Sequence, residues 1–252
     1  MKLNFKKYGN KGKAVIILHG LFGMLDNWST IGRKLGEHFQ VYTIDQRNHG
    51  KSPHNEVMNY KVMAEDLLHF IEDEKLESPH IIGHSMGGKT AMQFAIDYQN
   101  HLNKLVVVDI APKAYEHGHQ IIFDAFNGVN LSLIESRKEA DEKMTPLLPD
   151  FGIRQFILKN LARDNKANYF WRPAVNIIER NYNNIVSSIE GEFEGETLFI
   201  KGGKSDYIQE NNWSEIQEQF PNSKLSVIAN SGHWVHAEQP HEFFNEVLNF
   251  LN

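Results

Sequence analysis

The feature of the sequence that most constrains the fold is the stretch Gly83-His84-Ser85-Met86-Gly87. It follows an apolar run, residues 79–82, that predicts a buried strand, and it precedes an amphipathic stretch, residues 89–95, that predicts a helix. Gly-x-Ser-x-Gly between a strand and a helix is typical of a nucleophile elbow, a tight turn that exposes the serine hydroxyl at the end of a sheet. Glycines suit this turn because strand and helix cross closely there. The pattern therefore predicts that Ser85 is a nucleophile.

Strand patterns alternate with helix patterns along most of the chain. This alternation predicts an α/β fold, with a mostly parallel central sheet covered by helices on both faces. The predicted strands are residues 3–8, 14–18, 41–44, 79–82, 105–108, 197–200 and 225–228. The predicted helices of this part are residues 27–39, 60–76, 89–98, 213–220 and 240–251.

The alternation stops between Pro112 and Gly195. This span shows mostly helical patterns, including residues 153–161 and 174–189, and it is rich in aromatic residues. We therefore expect residues 1–111 and 196–252 to form one core and residues 112–195 to form a helical cap inserted in it.

Composition excludes several classes of protein. A net charge of −6 argues against nucleic acid as the main partner. The absence of cysteine excludes a disulfide framework, a thiolate zinc site and a cysteine nucleophile. No signal-peptide pattern and no apolar stretch of about 20 residues is present, so we expect a soluble, cytoplasmic protein without stable membrane insertion.

The remaining members of a catalytic triad are sought in loops that leave the carboxyl ends of strands, where ligands bind in open parallel sheets. Nucleophile, acid and histidine in that chain order are typical of hydrolase-fold triads. His233 follows the last predicted strand and completes this order, so it is the predicted general base. The predicted oxyanion hole combines the backbone N–H groups of Met86 and Leu21. Leu21 could instead serve only as a pocket wall.

Six segments together carry a family resemblance across the whole chain. They are His19–Gly23, Arg47–Pro53, Met58–Tyr60, Gly83–Lys89, Asp109–Pro112 and Gly232–Glu238. With these segments the chain resembles the YbfF-like esterase branch of the α/β-hydrolase superfamily. This resemblance implies an esterase that acts on acyl esters or acyl-CoA thioesters, with no metal and no dissociable cofactor.

Two aspartates compete for the role of the triad acid. Asp206 occupies the usual position in the superfamily, in the loop after the strand that precedes the last one. The resemblance to YbfF-like esterases instead implies the aspartate of Asp-Ile-Ala-Pro, Asp109. Either carboxylate could orient the imidazole of His233. We predict Asp206, because it has the more general position, with Asp109 as the alternative.

The predicted activity is that of a serine carboxylesterase with an acyl-enzyme on Ser85 and a small-molecule acyl ester or thioester as substrate. We expect aromatic residues of the cap to line an apolar acyl pocket, although they could also serve only to hold the cap together. The candidate pocket residues are Phe22, His84, Phe126, Trp171 and Trp234.

Two other functions are compatible with the same residues. A C–C hydrolase or a menaquinone-pathway lyase would need cationic groups for an anionic substrate. The candidate cations are Arg47, Lys89, Arg154 and Arg172. The third function is a ligand sensor with little turnover, which a complete triad disfavours.

Overall fold

The computed structural model describes residues 1–252, and its centre is a seven-stranded sheet. The strands are β1 (Phe5–Tyr8), β2 (Ala14–Leu18), β3 (Gln40–Ile44), β4 (His80–His84), β5 (Leu105–Val108), β8 (Thr197–Gly202) and β9 (Ser223–Ile228). Their order across the sheet is β1-β3-β2-β4-β5-β8-β9, and every neighbouring pair except β1–β3 is parallel. The predicted α/β class with a mostly parallel sheet is therefore confirmed.

Helices cover both faces of this sheet. They are α1 (Ser29–Leu35), α2 (Tyr60–Asp73), α3 (Met86–Asp97), α9 (Trp213–Gln219), α10 (Val235–Glu238) and α11 (Pro240–Leu251). Alternate residues of β2 point to opposite faces, so Ile16 packs in a core with α2 and α3 while Ile17 packs in a second core with α1 and α11. This burial on both faces explains why β2 and β5 are continuously apolar in sequence.

Helix α1 is shorter than predicted at both ends. Leu25–Trp28 forms a 3₁₀ turn before it, and the helix ends at Leu35. None of the helices combines the length with the apolar character needed to cross a bilayer.

Between β5 and β8 the chain forms five helices and a small hairpin. The helices are α4 (Gln120–Asn127), α5 (Arg137–Met144), α6 (Phe151–Leu158), α7 (Val175–Arg180) and α8 (Tyr182–Val186). The hairpin, β6 (Leu161–Arg163) and β7 (Tyr169–Trp171), was not predicted.

The predicted helix 174–189 was wrong, because α7 and α8 are separate. The chain leaves helical geometry at Asn181, whose side-chain amide donates to Ile177 O at 2.9 Å and to Glu56 O at 3.0 Å. This side chain ties the break between the helices to the loop before α2, a long-range contact that helical periodicity does not record.

Candidate active site

Ser85 lies in the elbow predicted from the sequence, between β4 and α3. Its φ is +52°, a left-handed conformation that is strained for a residue with a Cβ. A Cβ added to Gly83 would lie 2.2 Å from Gly87 O, and one added to Gly87 would lie 2.5 Å from Leu18 O. Both glycines are therefore needed for the close crossing of strand and helix. The turn places the Ser85 side chain in a cavity at the carboxyl edge of the sheet.

The carboxylate that meets His233 is that of Asp109. His233 Nδ1 lies 2.7 Å from Asp109 Oδ2, and Asp109 is fully buried at the end of β5. Oδ1 of Asp109 accepts the backbone N–H of Gly202 at 2.9 Å, and Oδ2 also accepts the Ser205 hydroxyl. Three donors therefore stabilise this carboxylate away from water. Since Asp109 accepts at Nδ1, Nε2 of His233 is left free to take a proton.

The prediction that Asp206 contacts His233 was wrong. Asp206 is exposed and its side chain makes no hydrogen bond or ion pair, although it lies at the wall of the cavity. Its loop instead directs the Ser205 hydroxyl towards Asp109. Because β5 and β8 are neighbours, Asp109 at the end of β5 lies directly beside the loop that follows β8 and carries Ser205.

Two residues outside the predicted set hold His233. The ring of Tyr207 stacks on the imidazole, with ring centroids 4.0 Å apart and planes inclined by 17°. Glu238 accepts the N–H of Gly232 at 2.8 Å and that of Trp234 at 3.2 Å, on either side of His233. Tyr207 follows Asp206 directly and Glu238 ends the segment Gly232–Glu238, but no local motif indicates either contact.

A group of neutral imidazoles lies behind the site. Nε2–H of His84 donates to the backbone carbonyl of His233 at 2.9 Å. His236 stacks on Trp28 with centroids 3.8 Å apart. Burial lowers the pKa of His84 well below its usual range and, with the nearby His233, lowers the pKa of His236 to about 3. These side chains therefore support the His233 loop without adding charge.

The buried neutral state of His236 predicts acid sensitivity. In the unfolded chain the pKa of His236 returns to about 6.5. Below that pH the unfolded state binds a proton at His236 that the native state does not bind. The stability contributed by neutral His236 is complete above pH 6.5 and is lost as the pH falls towards 3. His236→Phe can keep the stack on Trp28. Between pH 7.5 and 5, we expect the unfolding free energy of wild type to fall by about 2 kcal/mol more than that of this variant. Urea unfolding at the two pH values measures this difference, and equal losses would contradict it.

The loop after β2 lies beside the elbow. A Cβ added to Gly20 would lie 3.2 Å from Ser85 Cβ, which shows how closely the loop approaches. The backbone N–H of Phe22 donates to His49 Nε2 at 3.1 Å, whereas the N–H of Leu21 has no acceptor in the protein. Met86 is the first residue of α3, where backbone N–H groups have no partner within the helix.

One cavity of about 1210 Å³ contains Ser85 and His233, and 17 of its 36 lining residues are hydrophobic. Three predicted pocket residues, Phe22, His84 and Trp234, line it. The predictions for Phe126 and Trp171 were wrong, because these two pack edge-to-face at 4.9 Å outside the lining. Phe126 also packs on Phe22 at 5.1 Å, so it supports the lining from behind. No group of three His, Asp or Glu side chains is arranged to bind a metal ion.

Of the four candidate cations, only Lys89 lines the cavity. Arg47 is buried in an ion pair with Asp66 at 2.6 Å, and Arg154 pairs with Asp141 at 2.7 Å. The cavity is therefore lined by lysines, Lys89 with Lys113 and Lys159, and by no arginine that could bind a carboxylate in a bidentate manner.

Comparisons with known proteins agree with this geometry. Residues 13–240 match the family model described as the alpha/beta hydrolase fold. Esterase YbfF of Escherichia coli is 36% identical over 258 aligned positions, covering 100% of both chains. The sn-1-specific diacylglycerol lipase ABHD11 of Xenopus laevis is 36% identical and covers 95% of this chain and 80% of its own length. A solved structure described as a marine microorganism esterase has a TM-score of 0.97 and 43% identity and covers 99% of each chain.

Proposed function

This chain belongs to the alpha/beta hydrolase fold family, in its YbfF-like esterase branch, and is a carboxylic ester hydrolase, and we propose that it acts as a serine carboxylesterase through an acyl-enzyme on Ser85. The observation that carries the proposal is the contact of 2.7 Å between His233 Nδ1 and buried Asp109, because His233 and Ser85 line the same cavity. We assign Ser85 as nucleophile, His233 as general base and Asp109 as the acid that orients it.

In the first half of the reaction Ser85 Oγ attacks the ester carbonyl carbon and its proton passes to His233 Nε2. The carbonyl oxygen becomes an oxyanion, which the N–H groups of Met86 and Leu21 stabilise. Asp109 stabilises the imidazolium by accepting its Nδ1–H. The C–O bond then breaks, and the leaving alcohol takes the proton from Nε2.

In the second half water attacks the acyl-enzyme. His233 Nε2 accepts a proton from the water and returns it to Ser85 Oγ as the acyl–oxygen bond breaks. The products are a carboxylic acid and free enzyme. A thioester would follow the same steps with a thiol as leaving group.

Pre-steady-state kinetics with a p-nitrophenyl ester test this proposal. An acyl-enzyme whose hydrolysis is slower than its formation gives a burst of about one p-nitrophenolate per enzyme, followed by continued turnover. Burst without turnover would favour the ligand sensor. Rates across a panel of oxygen esters and acyl-CoA thioesters then define the leaving group, and failure to cleave any of them would contradict the esterase assignment.

We further propose that residues 112–195 act as a cap and that residues 1–111 and 196–252 form the core. Support comes from the lining of the cavity, to which both parts contribute. Contributors from the cap include Ile122, Ile153, Phe156 and Ile185. An acyl chain bound against these side chains would gain up to about 0.8 kcal/mol for each buried methylene until the pocket is full.

Activity should therefore depend on acyl chain length, and Phe156→Ala should weaken that dependence. Phe156 lines the cavity and packs on Trp234 with centroids 5.4 Å apart. We expect about a tenfold larger loss of kcat/KM for an octanoyl than for an acetyl ester. Phe170→Ala is the matched control, because Phe170 is a half-exposed aromatic of the same segment outside the lining. A flat profile in wild type would mean that these aromatics only hold the cap together.

A further inference from the structure

Lys89 is a buried cation that the proposed reaction does not use. It lies on α3, one helical turn after Ser85, and its residue exposure is only 1%. No carboxylate pairs with it. Its Nζ instead donates to two backbone carbonyls, those of Lys113 at 2.7 Å and Ser187 at 2.5 Å.

These two carbonyls belong to two segments of the cap, one at its start, where the chain leaves the core, and one after α8, shortly before the chain returns to the core. We call residues 112–115 and 185–189 together the neck. Within the neck, Tyr115 N–H donates to Val186 O at 2.8 Å and Ile189 N–H donates to Pro112 O at 2.6 Å. Lys89 donates to one carbonyl of each segment between these two backbone bonds. It therefore fastens both segments at once to the helix that carries the elbow.

The side chains around Lys89 offer it no anionic partner. Its Nζ lies 4.8 Å from the ring centroid of Tyr115 and 5.8 Å from that of Tyr60. Tyr60 also donates its hydroxyl to Ile185 O in the neck at 2.6 Å. Burial raises the pKa of both tyrosines, so neither supplies an anion.

We propose that Lys89 is a positioning residue that holds the neck on the elbow helix and thereby fixes the acyl-pocket wall over Ser85. The neck itself forms part of that wall, because Tyr115, Ile185 and Val186 line the cavity. This inference rests on the proposed function only in treating the cavity as an acyl pocket. The structural part, a neck closed by Lys89, stands independently of it.

A closed neck of this kind must respond to pH. Burial, and then the nearby Lys113 ammonium, lower the pKa of Lys89 to about 7. When the neck opens and Lys89 reaches water, its pKa returns to about 10.4. Between these values the open neck binds more protons, so rising pH favours the closed neck. The neutral amine keeps two N–H donors, which is the number that the two carbonyls require.

Hydrogen exchange of the neck amides, measured without substrate at pH 6.5 and 8.5 and corrected for intrinsic rates, tests the proposal. Protection of residues 112–115 and 185–189 in wild type should rise about 20-fold between these pH values. Lys89→Met leaves both carbonyls without a donor, so protection should fall and lose this pH dependence. The variant should also raise KM for an octanoyl ester about tenfold more than for an acetyl ester, with kcat little changed.

Two further variants keep the test decisive. Lys113→Gln keeps the backbone acceptor and removes the neighbouring charge, so the rise in protection should move to higher pH even if Lys89→Met does not fold. Lys104→Met is the matched control, because Lys104 also donates to a backbone carbonyl, Phe250 O at 2.8 Å, outside the neck.

Neck protection that Lys89→Met leaves unchanged at both pH values would overturn the proposal. Failure of the esterase assignment would not alter the exchange result, so the two failures are distinguishable.

Discussion

Ser85→Ala should lower kcat for ester hydrolysis by about 10⁴–10⁶ while leaving the fold intact. The loss is large because in the proposed mechanism the hydroxyl oxygen forms the acyl-enzyme, and no other serine or threonine lies in the elbow. The change itself costs little stability, since alanine keeps the Cβ that the backbone at φ +52° already accommodates. A residual rate above that of water is expected from the oxyanion donors and from binding.

Labelling by a fluorophosphonate probe gives this prediction a second readout. Wild type should carry one label on Ser85, and the variant should carry none. Circular dichroism and the urea midpoint should be close to those of wild type, which separates loss of chemistry from loss of structure. A variant that still turns over esters and takes the label at another residue would remove Ser85 from the mechanism.

Local sequence patterns were sufficient for the sheet and the elbow. Strands β2 and β5 are apolar at every position because both of their faces are buried, and this makes them recognisable without any partner. Gly83 and Gly87 were predictable for a similar reason. The crossing of strand and helix excludes a Cβ at these positions regardless of the rest of the molecule.

Which side chains line the cavity, and which groups Lys89 contacts, depends on long-range packing that local sequence patterns do not record. Phe126 and Trp171 resemble pocket residues in composition, but whether an aromatic ring lines a cavity or supports it from behind depends on the relative placement of several short helices. Lys89 is a related case, because its partners are 24 and 98 residues away and are backbone carbonyls. Every residue has a backbone carbonyl, so the residue types at these positions could not indicate the contact.

The sequence could not distinguish Asp109 from Asp206 as the partner of His233 for the same reason. Both aspartates follow parallel strands, and the chain order of a hydrolase triad is satisfied by either. The difference lies in the path of the chain after β8. It turns so that Gly202 N–H and the Ser205 hydroxyl face Asp109, while Asp206 is left in solvent.

Asp109→Asn should therefore reduce kcat by about 10⁴ with little change in KM, because an amide can donate to Nδ1 and favour the tautomer whose Nε2 already carries a proton. Asp206→Asn is the matched control. Asp206 is exposed and makes no hydrogen bond, so kcat should change by less than about twofold.

Rates at several pH values with saturating ester measure both variants, and the urea midpoint tests whether Asp109→Asn remains folded. Partial activity should return to Asp109→Asn at high pH if hydroxide replaces the missing base. A larger loss in Asp206→Asn than in Asp109→Asn would mean that the acid changes partner during catalysis and that the contact of 2.7 Å belongs to a resting state.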